Sequence, residues 1–171
     1  MEPWLPPAAS RILDIGCGLA AIDILLYRRY SAAAATDLYL ADYDTTTARV
    51  HYGFGSSPAV YNSLTVAHDL LLGNGVGADS IHFIRPEDIS QSKQLPRFSL
   101  VISTLAWGFH FPVDVYAQAV SNVMEDEAKL IIDIRAGTDG IEQLKRYFTL
   151  SGVIEQNDVR VRAVATGRRA S

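Results

Sequence analysis

The segment that most limits what this chain can fold into lies near its start, where the apolar run Arg11-Ile12-Leu13-Asp14-Ile15 enters Gly16-Cys17-Gly18. A short apolar run that ends in turn residues reads as a buried strand. Leu19, Ile22, Leu25 and Leu26 then recur at three- and four-residue spacing, which predicts a helix over 19–30 leaving the turn. Strand, glycine turn and helix together form the unit from which parallel sheets are built, because parallel strands need a crossover connection.

The same alternation continues along the chain. Leu38 to Ala41 reads as a second strand ending at Asp42, and Ser57-Pro58 as a helix start, with Ser57 capping and Pro58 at the first helical position. Val60, Tyr61, Leu64, Ala67 and Leu71 share one face of that helix, which Gly73 or Gly75 would end. Strands are expected at Ser80 to Ile84, Phe98 to Ser103 and Leu130 to Ile134. Val113, Tyr116, Val120 and Val123 define one further helix, and Asp139 and Glu142 open another that carries Ile141, Leu144 and Phe148. Val153 to Ile154 and Val159 to Val164, around Asn157-Asp158, resemble a closing hairpin. The expected fold is α/β: a three-layer, Rossmann-like, seven-stranded and mostly parallel sheet with an antiparallel C-terminal hairpin, formed by all 171 residues as one domain.

Composition narrows the function. A net charge of −4 gives no global positive field for phosphate backbones, so nucleic acid is not an expected partner, and Arg28-Arg29 and Arg168-Arg169 read as solvated surface. The single cysteine, Cys17, allows no intramolecular disulfide and no cysteine-rich metal site, so no metal is expected. The first ten residues hold three prolines and no apolar run of signal-peptide length, and no stretch approaches the ~20 apolar residues of a membrane span. A cytoplasmic protein without membrane contact is expected.

In open sheets of this type the ligand crevice lies at the carboxyl ends of the strands, where strand order reverses. Gly16 to Ala20 occupies that place, with glycines that admit close approach and a helix N-terminus that offers unpaired N–H groups. The spacing Gly16-x-Gly18-x-x-Ala21 also fits a loose dinucleotide fingerprint, so a nicotinamide cofactor stays open on the glycines alone. Asp14 discriminates: a carboxylate at the strand end repels a pyrophosphate by about 3 kcal/mol at ~5 Å and an effective dielectric near 20, and attracts a cation.

Ile12-Leu13-Asp14-Ile15-Gly16-Cys17-Gly18-Leu19-Ala20 resembles motif I of the class I S-adenosylmethionine-dependent methyltransferases, with Ala20 where the family usually has a third glycine. The resemblance implies S-adenosylmethionine as cofactor, seated on Asp14, Gly16, Cys17 and Gly18, the positive sulfonium and amino groups suiting Asp14. It also implies an acid at the end of the second strand that accepts both ribose hydroxyls. Asp42 matches best, with Asp37 and Asp44 as alternatives. Arg85-Pro86-Glu87-Asp88-Ile89 resembles the loop that meets the adenine amino group, which points to Asp88 with Glu87 beside it. Phe98 to Ser103 resembles motif IV, with Ser99 in place of a common aspartate and Ser103 at the cofactor side, and without the Asn-Pro-Pro-Tyr type of motif of many amino-methylating enzymes. The segments 52–64 and 107–112 are similar to bacterial sugar O-methyltransferases.

Methyl transfer is an in-line displacement that asks a protein chiefly for positioning, with a general base useful for a hydroxyl acceptor. His110, among Trp107, Phe109 and Phe111 after the fourth strand, is the expected base; His51, with Arg49 and Tyr52 in the loop 43–56, is second. His68 and His82 read as helix and strand surface, and Cys17 as non-catalytic. With ten residues ahead of the first strand, internal loops or a partner subunit of a homo-oligomer would cover the acceptor. The expected function is methylation of a small molecule at oxygen; a cofactor-binding protein without turnover and a nicotinamide oxidoreductase are the rivals.

Overall fold

The computed structural model describes residues 1–44, 63–91 and 95–167. Seven strands form one sheet: β1 Arg11–Ile15, β2 Asp37–Ala41, β3 Ile81–Ile84, β4 Phe98–Ser103, β5 Met124–Arg135, β6 Phe148–Gln156 and β7 Arg160–Gly167. Their order across the sheet is β3-β2-β1-β4-β5-β7-β6. β1 to β5 pair in parallel, whereas β7 enters between β5 and β6 and pairs antiparallel with both. The helices are α1 Ala21–Ser31, α2 Leu64–Gly73, α3 Pro86–Ser90, α4 Ala117–Val123 and α5 Gly140–Tyr147.

The alternation of side chains along each strand divides the core in two. Leu13, Ile15, Val101, Leu130 and Ile132 face one way, against Ile89 of α3, Val120 of α4 and Leu144 of α5. Ile12, Leu38, Leu40, Leu100, Ile102 and Ile131 face the other way, against Leu26 and Tyr30 of α1 and Ala67 and Leu71 of α2. Strands covered on both faces read as continuous apolar runs, which is why β1, β4 and β5 stand out in the sequence. Near the N-terminus a 3-10 turn, Glu2–Trp4, lays the Trp4 indole against Gly152 of β6, where an added Cβ would lie 2.4 Å from the ring. The Tyr30 hydroxyl donates to the Pro6 carbonyl at 2.9 Å and holds this segment to α1.

Several boundaries differ from the sequence reading. α1 starts at Ala21, because Ala20 takes a left-handed conformation (φ 58°); Leu19 therefore precedes the helix and is exposed. The buried face of α1 carries Asp23, Leu26 and Tyr30, while Leu25 points to solvent. β5 begins at Met124, ahead of the apolar run, because its first residues continue directly from α4. The Asp139 carboxylate does not cap α5: it accepts from the Gln143 side chain at 3.0 Å, while the Thr138 hydroxyl takes the Gly140 N–H at 3.4 Å. Phe148 opens β6 rather than closing α5. The expected helix start at Ser57-Pro58 lies outside the described residues, as do Val60, Tyr61 and Arg168-Arg169; the Ser63 hydroxyl caps α2 by accepting the Val66 N–H at 3.4 Å. Among the described residues no helix is long and apolar enough to cross a membrane.

Candidate functional site

β1 lies between β2 and β4 although it precedes both, so strand order reverses at its carboxyl end. The chain leaves β1 through three left-handed residues at alternate positions, Gly16 (φ 81°), Gly18 (φ 57°) and Ala20 (φ 58°). The Gly16 N–H donates to the Ala41 carbonyl at 2.7 Å, and the Gly18 N–H donates to Asp42 Oδ2 at 2.8 Å. Asp42 Oδ1 accepts the Tyr43 N–H at 2.7 Å, so both carboxylate oxygens are oriented by backbone just past β2.

The opposite wall is the segment that follows β4. The Ser103 hydroxyl, fully buried, donates to the Ile15 carbonyl at 2.7 Å and accepts the Trp107 N–H at 3.0 Å, tying the ends of β1 and β4 to the next turn. The Trp107 indole N–H donates to the Val113 carbonyl at 2.8 Å. Arg135 fastens the same segment to β5: its Nε donates to the Phe109 carbonyl at 2.9 Å and its guanidinium lies 4.5 Å from the Phe109 ring centre. Ala106 packs directly on Gly16, and a Cβ added at Gly16 would meet the Ala106 Cβ at 2.1 Å.

Between these walls is a cleft of about 400 Å³ lined by Gly16 to Leu19, Ala41 to Tyr43, Pro86, Thr104 to Trp107, His110, Phe111 and Tyr116. Of the residues singled out from sequence, Gly16, Cys17, Gly18, Asp42 and His110 meet at this cleft. Asp14, Asp88 and Ser103 do not reach its surface. Asp88 Oδ2 accepts the Arg85 N–H at 3.3 Å, closing the first turn of α3, and Ser103 is engaged as described. Asp37 stands at the far end of β2, 3.9 Å from His82, and Asp44 Oδ1 accepts the Leu64 N–H at the start of α2. His68 and His82 are partly exposed, on α2 and β3. Arg49, His51 and Tyr52 lie outside the described residues.

Asp14 is buried between β1 and α1, next to Asp23 of the first helical turn. Burial first, and the neighbouring Asp23 and Asp42 carboxylates after it, hold the Asp14 carboxyl well above the usual carboxylate range. Burial lifts Asp23 to about 6, against an ordinary value of 3.8. Burial, then Asp14, Asp42 and Asp23, push the Cys17 thiol up, which leaves it protonated and unreactive. His110 is displaced the other way, downward, by burial and then by the Arg135 charge. Across the cleft the Tyr43 hydroxyl interacts with the Glu87 carboxylate and the Tyr116 hydroxyl, and burial leads the upward shift of both phenols.

Two features of this site were missed in the sequence. Asp23 carried a usable signal, since it occupies the apolar face of α1 three residues before Leu26 and seven before Tyr30. Of the Tyr43, Glu87 and Tyr116 group only Glu87 was singled out, and its meeting with the two tyrosines carried no signal, because three segments distant in sequence supply them.

By sequence, no family model and no curated protein matches the chain. Solved structures do. Precorrin-6y C5,15-methyltransferase from Geobacter metallireducens superposes with a TM-score of 0.67 at 12% identity, over 98% of this chain and 85% of that one. Ribosomal protein L11 methylase from Lactobacillus delbrueckii subsp. bulgaricus gives 0.67 at 13% identity, over 98% and 74%. A TehB-like methyltransferase from Corynebacterium glutamicum, dependent on S-adenosylmethionine, gives 0.60 at 14% identity, over 95% and 83%. The antiparallel β7 between β5 and β6 departs from the 3-2-1-4-5-6 order of the dinucleotide-binding sheet. The chain thus has the fold of the class I S-adenosylmethionine-dependent methyltransferases.

Proposed function

We propose that the protein is an S-adenosylmethionine-dependent methyltransferase that acts on a hydroxyl of a small molecule. The observation that carries this reading is the pairing of Gly18 with Asp42 at the switch point. One carboxylate, oriented by two backbone N–H groups, stands at the wall of a cleft whose floor is a glycine turn. A carboxylate so placed suits a vicinal diol. Open space within 4 Å of the position where Gly18 would carry a Cβ lets a ligand lie against its backbone. The fold of solved methyltransferases supports the same cofactor.

When bound, S-adenosylmethionine supplies a methyl group activated by its sulfonium. The protein's part is to seat the ribose on Asp42, the amino acid end over the turn above Asp14, and the acceptor beside His110. Partial burial and the nearby Arg135 favour the neutral imidazole, the form that accepts a proton from a hydroxyl. The net charge of −4 opposes a nucleic-acid acceptor.

Thermal unfolding with S-adenosylmethionine, S-adenosylhomocysteine, NAD and NADP tests the cofactor. A ligand at 100 times its dissociation constant adds about 2.7 kcal/mol, or roughly 5–11 °C for a domain of this size. Stabilisation by the two sulfur compounds alone is expected. Stabilisation by a nicotinamide nucleotide alone, or by none of the four, would overturn the proposal.

A further inference from the structure

Beneath the glycine turn lies a pair of buried carboxyls, Asp14 of β1 and Asp23 of α1. Asp14 and Asp23 are 1% and 0% exposed, and Asp14 Oδ1 and both Asp23 oxygens have no hydrogen-bond partner among the described residues. Two adjacent buried carboxylates repel each other, and beyond the amide of Asp23 itself and the contact between the two carboxyls no group acts to stabilise two charges, so one proton between them is the stable arrangement. The first turn of α1 favours a single negative charge there. The groups around the pair are all acids: Asp42 from the end of β2 and Cys17 from the turn, with no described cation acting on it. Asp42 has its carboxylate held by two N–H donors, and Ser103 on the β4 side is uncharged and already bonded.

We infer that Asp14 and Asp23 share one proton in the cofactor-free protein and release it to solvent when the cationic amino group of the cofactor settles over the turn, Asp23 acting as a positioning residue through Asp14. This rests on the cofactor assignment proposed above. A positive charge at the floor of the cleft stabilises the doubly ionised pair, and by linkage cofactor affinity then rises with pH. The turn residues Gly16, Cys17 and Gly18 line the cleft, and the pair acts electrostatically on two cleft residues, Asp14 on Asp42 and both carboxyls on Cys17.

Isothermal titration of the whole chain between pH 5.5 and 7.5, in two buffers of different ionisation enthalpy, tests this. S-adenosylhomocysteine is the first probe, and this window keeps its α-amino group, which titrates near pH 8, largely charged. 5′-Methylthioadenosine, which lacks the amino acid end, is the second. Affinity for S-adenosylhomocysteine should rise about tenfold per pH unit, with close to one proton released per ligand bound. Methylthioadenosine should bind without that slope, which separates the pair from His110, a titrating group common to both experiments. In Asp23→Asn the amide can donate to Asp14, and the slope for S-adenosylhomocysteine should vanish while binding persists. If that variant does not fold, Asp14→Asn should weaken S-adenosylhomocysteine and spare methylthioadenosine. Binding by the unaltered protein without proton release, or an unchanged slope in Asp23→Asn, overturns the inference alone; no binding at any pH overturns the cofactor assignment with it.

Discussion

Replacing Gly16 with alanine should damage the fold before it damages binding. At φ 81° an L-residue is strained, by about 1–2 kcal/mol. The new methyl would lie 2.1 Å from the Ala106 Cβ, where a normal contact is roughly 3.5–4 Å. Ala106 has no flexible end to swing aside, so the backbone after β4 must move, and that segment is pinned at Ser103, Trp107 and Arg135. Overpacking of this kind costs about 1–3 kcal/mol. The total, about 2–5 kcal/mol, is a large part of ordinary domain stability and should lower the midpoint of thermal unfolding by roughly 4–20 °C. Urea titration of Gly16→Ala, Ala106→Gly and the double variant gives the cycle that isolates the contact. The double variant should recover the packing part and leave the φ strain, with a coupling of at least about 1 kcal/mol. A loss below about 1 kcal/mol in Gly16→Ala, or no coupling, would refute the argument.

Gly18→Ala should behave differently, since no atom lies within 4 Å of its added Cβ and Ala20 already holds the same φ. Stability should fall by only about 1 kcal/mol, while S-adenosylhomocysteine affinity measured by calorimetry drops at least tenfold; equal binding would argue against a ligand on this backbone. Ser103→Ala leaves the Trp107 N–H unpaired in the interior and should cost about 1–3 kcal/mol in urea titration. Arg162→Met removes both hydrogen bonds of the fully buried Asp133, at 2.7 and 2.8 Å, and leaves it only the Arg160 guanidinium at 3.8 Å, so a loss of about 2–4 kcal/mol is expected in the same assay. Arg135→Met removes a cation that lowers the His110 pKa, so the imidazole should titrate at higher pH by NMR, and the acid limb of any rate profile should move with it. The sign for stability follows: with its folded pKa below 6.5, His110 contributes fully above that value and its contribution is lost as pH falls toward the folded pKa.

Much of the sheet was legible because its central strands are buried on both faces and therefore uniformly apolar, so Arg11 to Ile15 and Phe98 to Ser103 have the boundaries read from sequence. The start of β5 was not legible, since four of the six residues 124–129 are charged and the segment becomes a strand only by following α4 without a break. The start of α1 was lost to backbone conformation: a left-handed alanine at position 20 cannot be read from side-chain spacing. The cleft itself was legible through glycines and Asp42, whose place at a strand end follows from topology. Asp14, Asp88 and Ser103 show the limit of such reading. Sequence places Asp14 in β1, Ser103 at the end of β4 and Asp88 just after β3, yet whether a side chain reaches the cleft or a neighbouring backbone depends on contacts from other segments, such as the Ile15 carbonyl for Ser103.

The insertion of β7 between β5 and β6 also governs how the protein can be made. Residues up to 156 can be synthesised before any partner exists for the outer edge of β5, whose Leu130, Ile131 and Ile132 belong to the core. Until the ribosome has released Gly167, that edge presents unpaired backbone in a strand of high apolar content, the combination most prone to pair with another chain. The strand order therefore gives the growing chain an interval of edge exposure that the finished sheet does not show.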